Sequence, residues 1–133
     1  MISWIVIVLG LYFINLLLVS YLRFVESGLP KDQMISIGLG PRDNAPALGK
    51  LGGRADRALN NLKESLPFFI TFALLSISMD KVNPQAINGA MVFAAARIIY
   101  LPVYVWGVPG LRSLVWGIAL IGLIMMLLSL WAL

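Results

Sequence analysis

The 133-residue chain contains no cysteine and no histidine, and only six of its residues are acidic. Without a thiol there is no disulfide, no thiolate metal site and no cysteine nucleophile. Without imidazole, the common zinc sites and the Ser-His-Asp type of triad are excluded. Six scattered carboxylates do not build a dedicated oxygen cage, so no metal is expected. Charge of either sign is scarce, at 12% of residues, where a soluble domain carries roughly a quarter. In its place are apolar residues, 60% of the chain, at a mean hydropathy of +0.92. They are clustered in runs, the mark of membrane spans. The net charge of +4 comes from basic residues that form no run and are not interleaved with stacking aromatics. Nucleic acid is therefore not an expected partner.

The runs predict an all-α integral membrane protein of one domain, residues 1–133, with four transmembrane helices at about 2–22, 55–79, 85–105 and 111–132. The first run carries no charge, and at about 1.5 Å per residue it reaches about 31 Å, enough to cross the hydrocarbon. It lacks a basic leader and a small-residue cleavage site, so it reads as a retained span. Residues 23–53 hold Arg23, Glu26, Lys31, Asp32, Arg42, Asp43 and Lys50 among many glycines and prolines, and read as one long loop. The second span begins after Gly52 and Gly53 with three polar turns and becomes apolar from Leu66. Arg97 is the only charge in the third. Asn15, alone in the first span, is expected to hydrogen-bond to another helix.

Lys and Arg near span ends set orientation. The first loop and the turn after it hold Arg23, Lys31, Arg42, Lys50, Arg54 and Arg57; the second loop holds only Lys81; the third carries Arg112. The first and third loops are thus expected in the cytoplasm and both termini outside it. The compact chain without appended signals favours a bacterial inner membrane.

This orientation places Arg54, Arg57, Arg97 and Arg112, from three helices, at similar depth in one leaflet. At about 100° per residue, Arg54, Arg57, Asn61 and Glu64 fall within an arc of about 80°. Arg97, Tyr100 and Tyr104 follow i, i+3, i+7 and also share a face. Facing each other, the two stripes would line a pocket for a ligand with more than one anionic group and one cationic group. Arginine grips carboxylate with two prongs, and Glu64 suits an ammonium. The alternative is that Glu64 neutralises Arg57 or Arg97 as bundle glue, with Arg54 and Arg112 snorkelling at helix ends. Four guanidinium groups against one carboxylate favour an anion from outside, because a closed network is nearer neutral.

The segment Arg54-Ala-Asp-Arg57-Ala-Leu-Asn-Asn61-Leu-Lys-Glu64-Ser-Leu-Pro67-Phe68 resembles the signature of the MAPEG family, the membrane-associated proteins of eicosanoid and glutathione metabolism. Ala96-Arg97-Ile-Ile-Tyr100, with Tyr104 and Arg112 beyond it, is similar to a second family motif. The resemblance implies a left-handed four-helix bundle assembled as a homotrimer, with glutathione as co-substrate between subunits. Arg57, Asn61, Glu64, Arg97, Tyr100 and Tyr104 match glutathione-contacting positions, and Arg54 supports them. Arg112 matches an arginine assigned to the thiolate in the leukotriene-forming branch. Ser65 stands where that branch has a tyrosine, and Arg23 is single where it has a pair, so eicosanoid chemistry is not implied. The implied activity is a microsomal-type glutathione transferase acting on lipophilic electrophiles, possible peroxidase activity included. The alternatives are a non-catalytic lipid- or glutathione-binding protein and a structural subunit of a larger complex.

Overall fold

The computed structural model describes residues 1–131, so residue 132, the predicted end of the last span, lies outside the described residues. Among the described residues there are five helices and no strand: α1 (Ile2–Ser27), α2 (Lys31–Leu39), α3 (Lys50–Ser78), α4 (Pro84–Trp106) and α5 (Leu111–Trp131). Two boundaries differ from those the sequence predicts. The segment 23–53 is not one loop: α1 continues through it to Ser27, and α2 occupies its middle. And α3 starts at Lys50, running through Gly52 and Gly53 rather than beginning after them.

The early start of α3 has a physical cause outside the helix. Glu26, in the last turn of α1, accepts hydrogen bonds from the backbone N–H groups of Leu51 (2.8 Å) and Gly52 (2.6 Å). The first four N–H groups of a helix have no partner of their own, and a carboxylate at that end is favoured by the helix dipole. At α4 the cap is local: Asn83 accepts from the N–H of Ala86 (2.8 Å), and Pro84 takes the first helical position, where no donor is needed.

One core joins α1, α3, α4 and α5. Val8 and Leu11 of α1 meet Leu62, Phe69 and Ala73 of α3, Phe93 of α4, and Ala119 and Met126 of α5. Phe69 and Phe93 stack with ring centroids 4.7 Å apart at 13°. Asn15 is buried here, but its amide donates to the carbonyl of Leu11 one turn back (2.9 Å) instead of bridging to another helix. A carbonyl at i−4 lies within reach of a short polar side chain and competes with any distant partner.

Helices α4 and α5 approach to backbone contact. A Cβ on Gly122 would stand 2.7 Å from both the Gly89 carbonyl oxygen and the Phe93 nitrogen, and a Cβ on Gly89 would stand 2.7 Å from the Gly122 carbonyl oxygen. Small residues let membrane helices approach this closely. Gly122→Ala should therefore separate the pair and cost about 1–3 kcal/mol in thermal unfolding in detergent. Gly117→Ala, where nothing stands within 4 Å, should be neutral or mildly stabilising.

Among the described residues three helices, α1, α4 and α5, are long and apolar enough to cross a membrane, and the chain is a membrane protein. The 29-residue α3 has the length, but its N-terminal half carries Lys50, Arg54, Asp56, Arg57, Lys63 and Glu64.

Candidate functional site

The polar half of α3 is the wall of a groove that α4, α5 and the turn between them complete. Three adjoining cavities make up this groove. The first, of about 400 Å³, lies between Arg54 and Arg57 of α3 and Arg112 and Ser113 of α5, against the 107–110 turn. The second, of about 340 Å³, shares Tyr104, Arg112 and Ser113 with the first and adds Asn61, Tyr100 and Trp116. The third, of about 170 Å³, continues from Asn61 and Trp116 to Glu64, Ser65 and Arg97, and ends on Phe68, Leu120 and Leu123. The groove is thus basic at one end and apolar at the other. All eight residues singled out in the sequence (Arg54, Arg57, Asn61, Glu64, Arg97, Tyr100, Tyr104 and Arg112) line it.

Arg97 is its fixed centre. At 3% exposure it is the most buried charged group in the site. Nη1 donates to Asn61 Oδ1 (2.6 Å) and Nη2 to Ser65 Oγ (2.8 Å), both from α3. Ser65 is free to accept because its own hydroxyl donates to the carbonyl of Leu62 (3.0 Å). The guanidinium carbon lies over the rings of Phe93 and Tyr100, 5.3 Å from each centroid. Its Nε is buried and has no hydrogen-bond partner. A buried polar atom left unpaired costs free energy, and a buried cation without a counter-ion costs more.

From Arg97 a chain of ring and guanidinium contacts runs along α4 to α5. Tyr100 and Tyr104 sit with centroids 5.4 Å apart, and the guanidinium of Arg112 lies 5.5 Å from the Tyr104 ring. Contact with a ring face holds a guanidinium without using its N–H donors. Arg54 is placed differently: Nη1 donates to the carbonyl of Val105 (2.9 Å), at the open C-terminal end of α4. It ties α3 to α4 and lines only the basic end of the groove.

No guanidinium in the groove is paired with a carboxylate among the described residues, and Glu64 is the one acidic residue lining it. Glu64 acts electrostatically on Arg97 without reaching ion-pair distance of it or of Arg57, so the bundle-glue alternative is met only in part. Ser65 and Trp116 are among the lining residues that the sequence reading did not assign to the site. Ser65 is one turn on from Asn61, and Trp116 one turn on from Arg112, so helical spacing from the motif residues was the available signal. Trp116 is 44% exposed and borders both inner cavities.

No curated protein matches the chain. Nor does any solved structure. The model of one protein family does match, over residues 1–132 and so essentially the whole length, and its members include glutathione transferases and related enzymes. The buried arginine on α4, the polar face of α3 that holds it and this full-length match together make the chain a member of the MAPEG family, a membrane protein of the glutathione and eicosanoid metabolism type.

Proposed function

We propose that this protein is a membrane-bound glutathione transferase that ionises the glutathione thiol for attack on lipophilic electrophiles. The observation that carries the proposal is the uncompensated charge of the groove: Arg54, Arg57, Arg97 and Arg112 face one carboxylate, Glu64, and Arg97 keeps an unpartnered Nε. Glutathione has the complementary pattern of two carboxylates, one ammonium and one thiol. Arg57 and Arg97 bind the carboxylates, with Asn61, Tyr100 and Tyr104 donating hydrogen bonds and Glu64 holding the ammonium. Arg54 orients the basic end through its bond to α4.

The thiol falls to Arg112. Arg97 is buried at the inner end and is assigned to a carboxylate, whereas Arg112 is exposed, contacts the Tyr104 ring, and borders two of the three cavities. A free thiol ionises with a pKa of about 8.5, and an adjacent cation favours the thiolate. The protein offers no thiol of its own, so the nucleophile is the ligand's. The sulfur forms its new bond to the electrophilic carbon as the leaving group departs with the bonding pair. The apolar end at Phe68, Trp116 and Leu120 receives the electrophile from the bilayer.

The same reading has α3 cross the membrane as a fourth span, its polar turns in the cytoplasmic leaflet facing the groove. It places both termini outside the cytoplasm and the bundle in a homotrimer in the bacterial inner membrane. Glutathione titration of the purified protein in detergent tests the binding half. Saturable binding is expected, weakened about tenfold or more by Arg57→Ala and by Glu64→Ala. Equal affinity in both variants and the native protein would refute the assignment. Conjugation of a chloronitrobenzene separates a transferase from a protein that only binds glutathione.

A further inference from the structure

We propose that Glu26, outside the groove and on a different helix, is a positioning residue: its carboxylate clips the start of α3 to the end of α1 and so holds Arg54 and Arg57 at the basic end of the groove. The glutathione affinity it controls rests on the function proposed above; the clip itself is geometric.

Both carboxylate oxygens are engaged, Oε1 by the N–H of Leu51 and Oε2 by the N–H of Gly52. Charge-assisted bonds of this kind are about twice as strong as neutral ones. The seat is shaped for the carboxylate. A Cβ on Gly49 would stand 2.6 Å from the Glu26 carboxyl carbon, and one on Gly52 would stand 3.0 Å from Oε2. A Cβ on Gly53 would meet nothing nearer than Arg57 Nη1, at 3.6 Å. Glycine weakens a helix interior, so its use at the start of α3 needs a compensating reason, and the carboxylate's access to the backbone supplies one.

Little else anchors this end of α3. The connecting segment contributes no buried side chain through α2. Beyond the clip, Ala55 and Leu59 pack on Val19 beside Leu22, and Arg54 reaches the Val105 carbonyl. Arg54 and Arg57 lie within two turns of the clip, whereas Asn61, Glu64 and the Arg97 contacts lie deeper along α3. Losing the clip frees the first turn and moves the two outer arginines, leaving the inner groove in place. Affinity for the ligand then falls while ionisation of the bound thiol persists.

Amide hydrogen exchange and glutathione titration on the full-length protein in detergent test this. Glu26→Ala should speed exchange at residues 51–54 by about tenfold or more, with α4 and α5 unchanged. It should weaken glutathione binding about fivefold while the thiolate absorbance at saturation is kept. Gly49→Ala, which displaces the carboxylate without removing it, should reproduce both effects; Gly53→Ala should produce neither. Glu26→Gln, with one acceptor oxygen, should fall between. In an Arg57→Ala background the affinity loss from Glu26→Ala should shrink to within about twofold. Unchanged exchange at residues 51–54 in Glu26→Ala overturns the proposal, as does an affinity loss that persists in full without Arg57. Should the native protein fail to bind glutathione, the glutathione reading falls and the exchange arm alone decides the clip.

Discussion

Arg97→Met should leave the ligand-free protein as stable as the native chain, or more stable, while removing its affinity for glutathione. The two effects have one origin. The Arg97 guanidinium is buried at 3% exposure with two neutral oxygen acceptors, an unpaired Nε and no carboxylate. Taking a cation out of water with no carboxylate in ion-pair contact is unfavourable, and removing it returns a desolvation cost of several kcal/mol. Methionine keeps the contacts with Phe93 and Tyr100, through sulfur against the rings. Against this stand the lost bonds to Asn61 and Ser65, whose oxygens are left short of a donor at about 1–3 kcal/mol each. The balance is near zero or favourable in the empty protein. In the complex the sign reverses, because the ligand's anionic group then lacks its partner. Removing one member of such a pair costs about 2–5 kcal/mol, or a thirtyfold to several-thousandfold weakening. Thermal unfolding with and without glutathione reads both. A variant that unfolds more easily and still binds glutathione would make Arg97 a structural residue.

Arg112→Ala should separate binding from ionisation. Arg112 is exposed at the start of α5 and touches the rest of the site only through the Tyr104 ring. Its loss should leave bundle stability within about 0.5 kcal/mol, as for surface positions. Glutathione carboxylates still meet Arg57 and Arg97, so binding should weaken by only a few fold. The thiol, in contrast, loses the cation that favours its charged form. Each tenfold loss of thiolate corresponds to about 1.4 kcal/mol, and a return to a pKa of about 8.5 leaves only a few per cent ionised at pH 7. Ultraviolet absorbance of the thiolate should therefore vanish in the variant, and conjugation of a chloronitrobenzene should fall about tenfold or more. Absorbance equal to that of the native protein would move the role to another residue, with Arg97 the next cation along the chain of contacts.

The parts of this fold that were legible in the sequence are those that depend on bulk properties or on spacing within one helix. Long apolar runs announce α1, α4 and α5, because a helix that crosses hydrocarbon must consist mostly of apolar residues. The shared face of Arg97, Tyr100 and Tyr104 follows from helical geometry alone, and the guanidinium and the two rings do lie in contact along it, the rings tilted at 55°. What was not legible depends on contacts between distant residues. Gly52 and Gly53 read as a break because glycine is a poor helix former. They lie inside the helix because a carboxylate 25–26 positions earlier accepts from the N–H groups of Leu51 and Gly52, while the Gly53 N–H already reaches the Gly49 carbonyl. The nine-residue α2 is too short for a periodic signal and buries nothing. Asn15 chose a carbonyl in its own helix over a partner across the bundle, a competition that one sequence does not decide. In the groove, the residues with distinctive chemistry were found, whereas Ser65 and Trp116 were passed over because a serine and a tryptophan are ordinary in a membrane span.

The central claim is that the arginine groove takes up glutathione and strips its thiol of a proton, and proton release on binding measures that directly. Calorimetric titration at pH 7, repeated in buffers of different ionisation enthalpy, counts the protons set free. The chain is well suited to the count, because it has no histidine and no cysteine side chain to exchange protons near neutrality. The account predicts release of about one proton per bound glutathione in the native protein, and little or none in Arg112→Ala. Binding with no proton release in the native protein, or no binding at all, would contradict it.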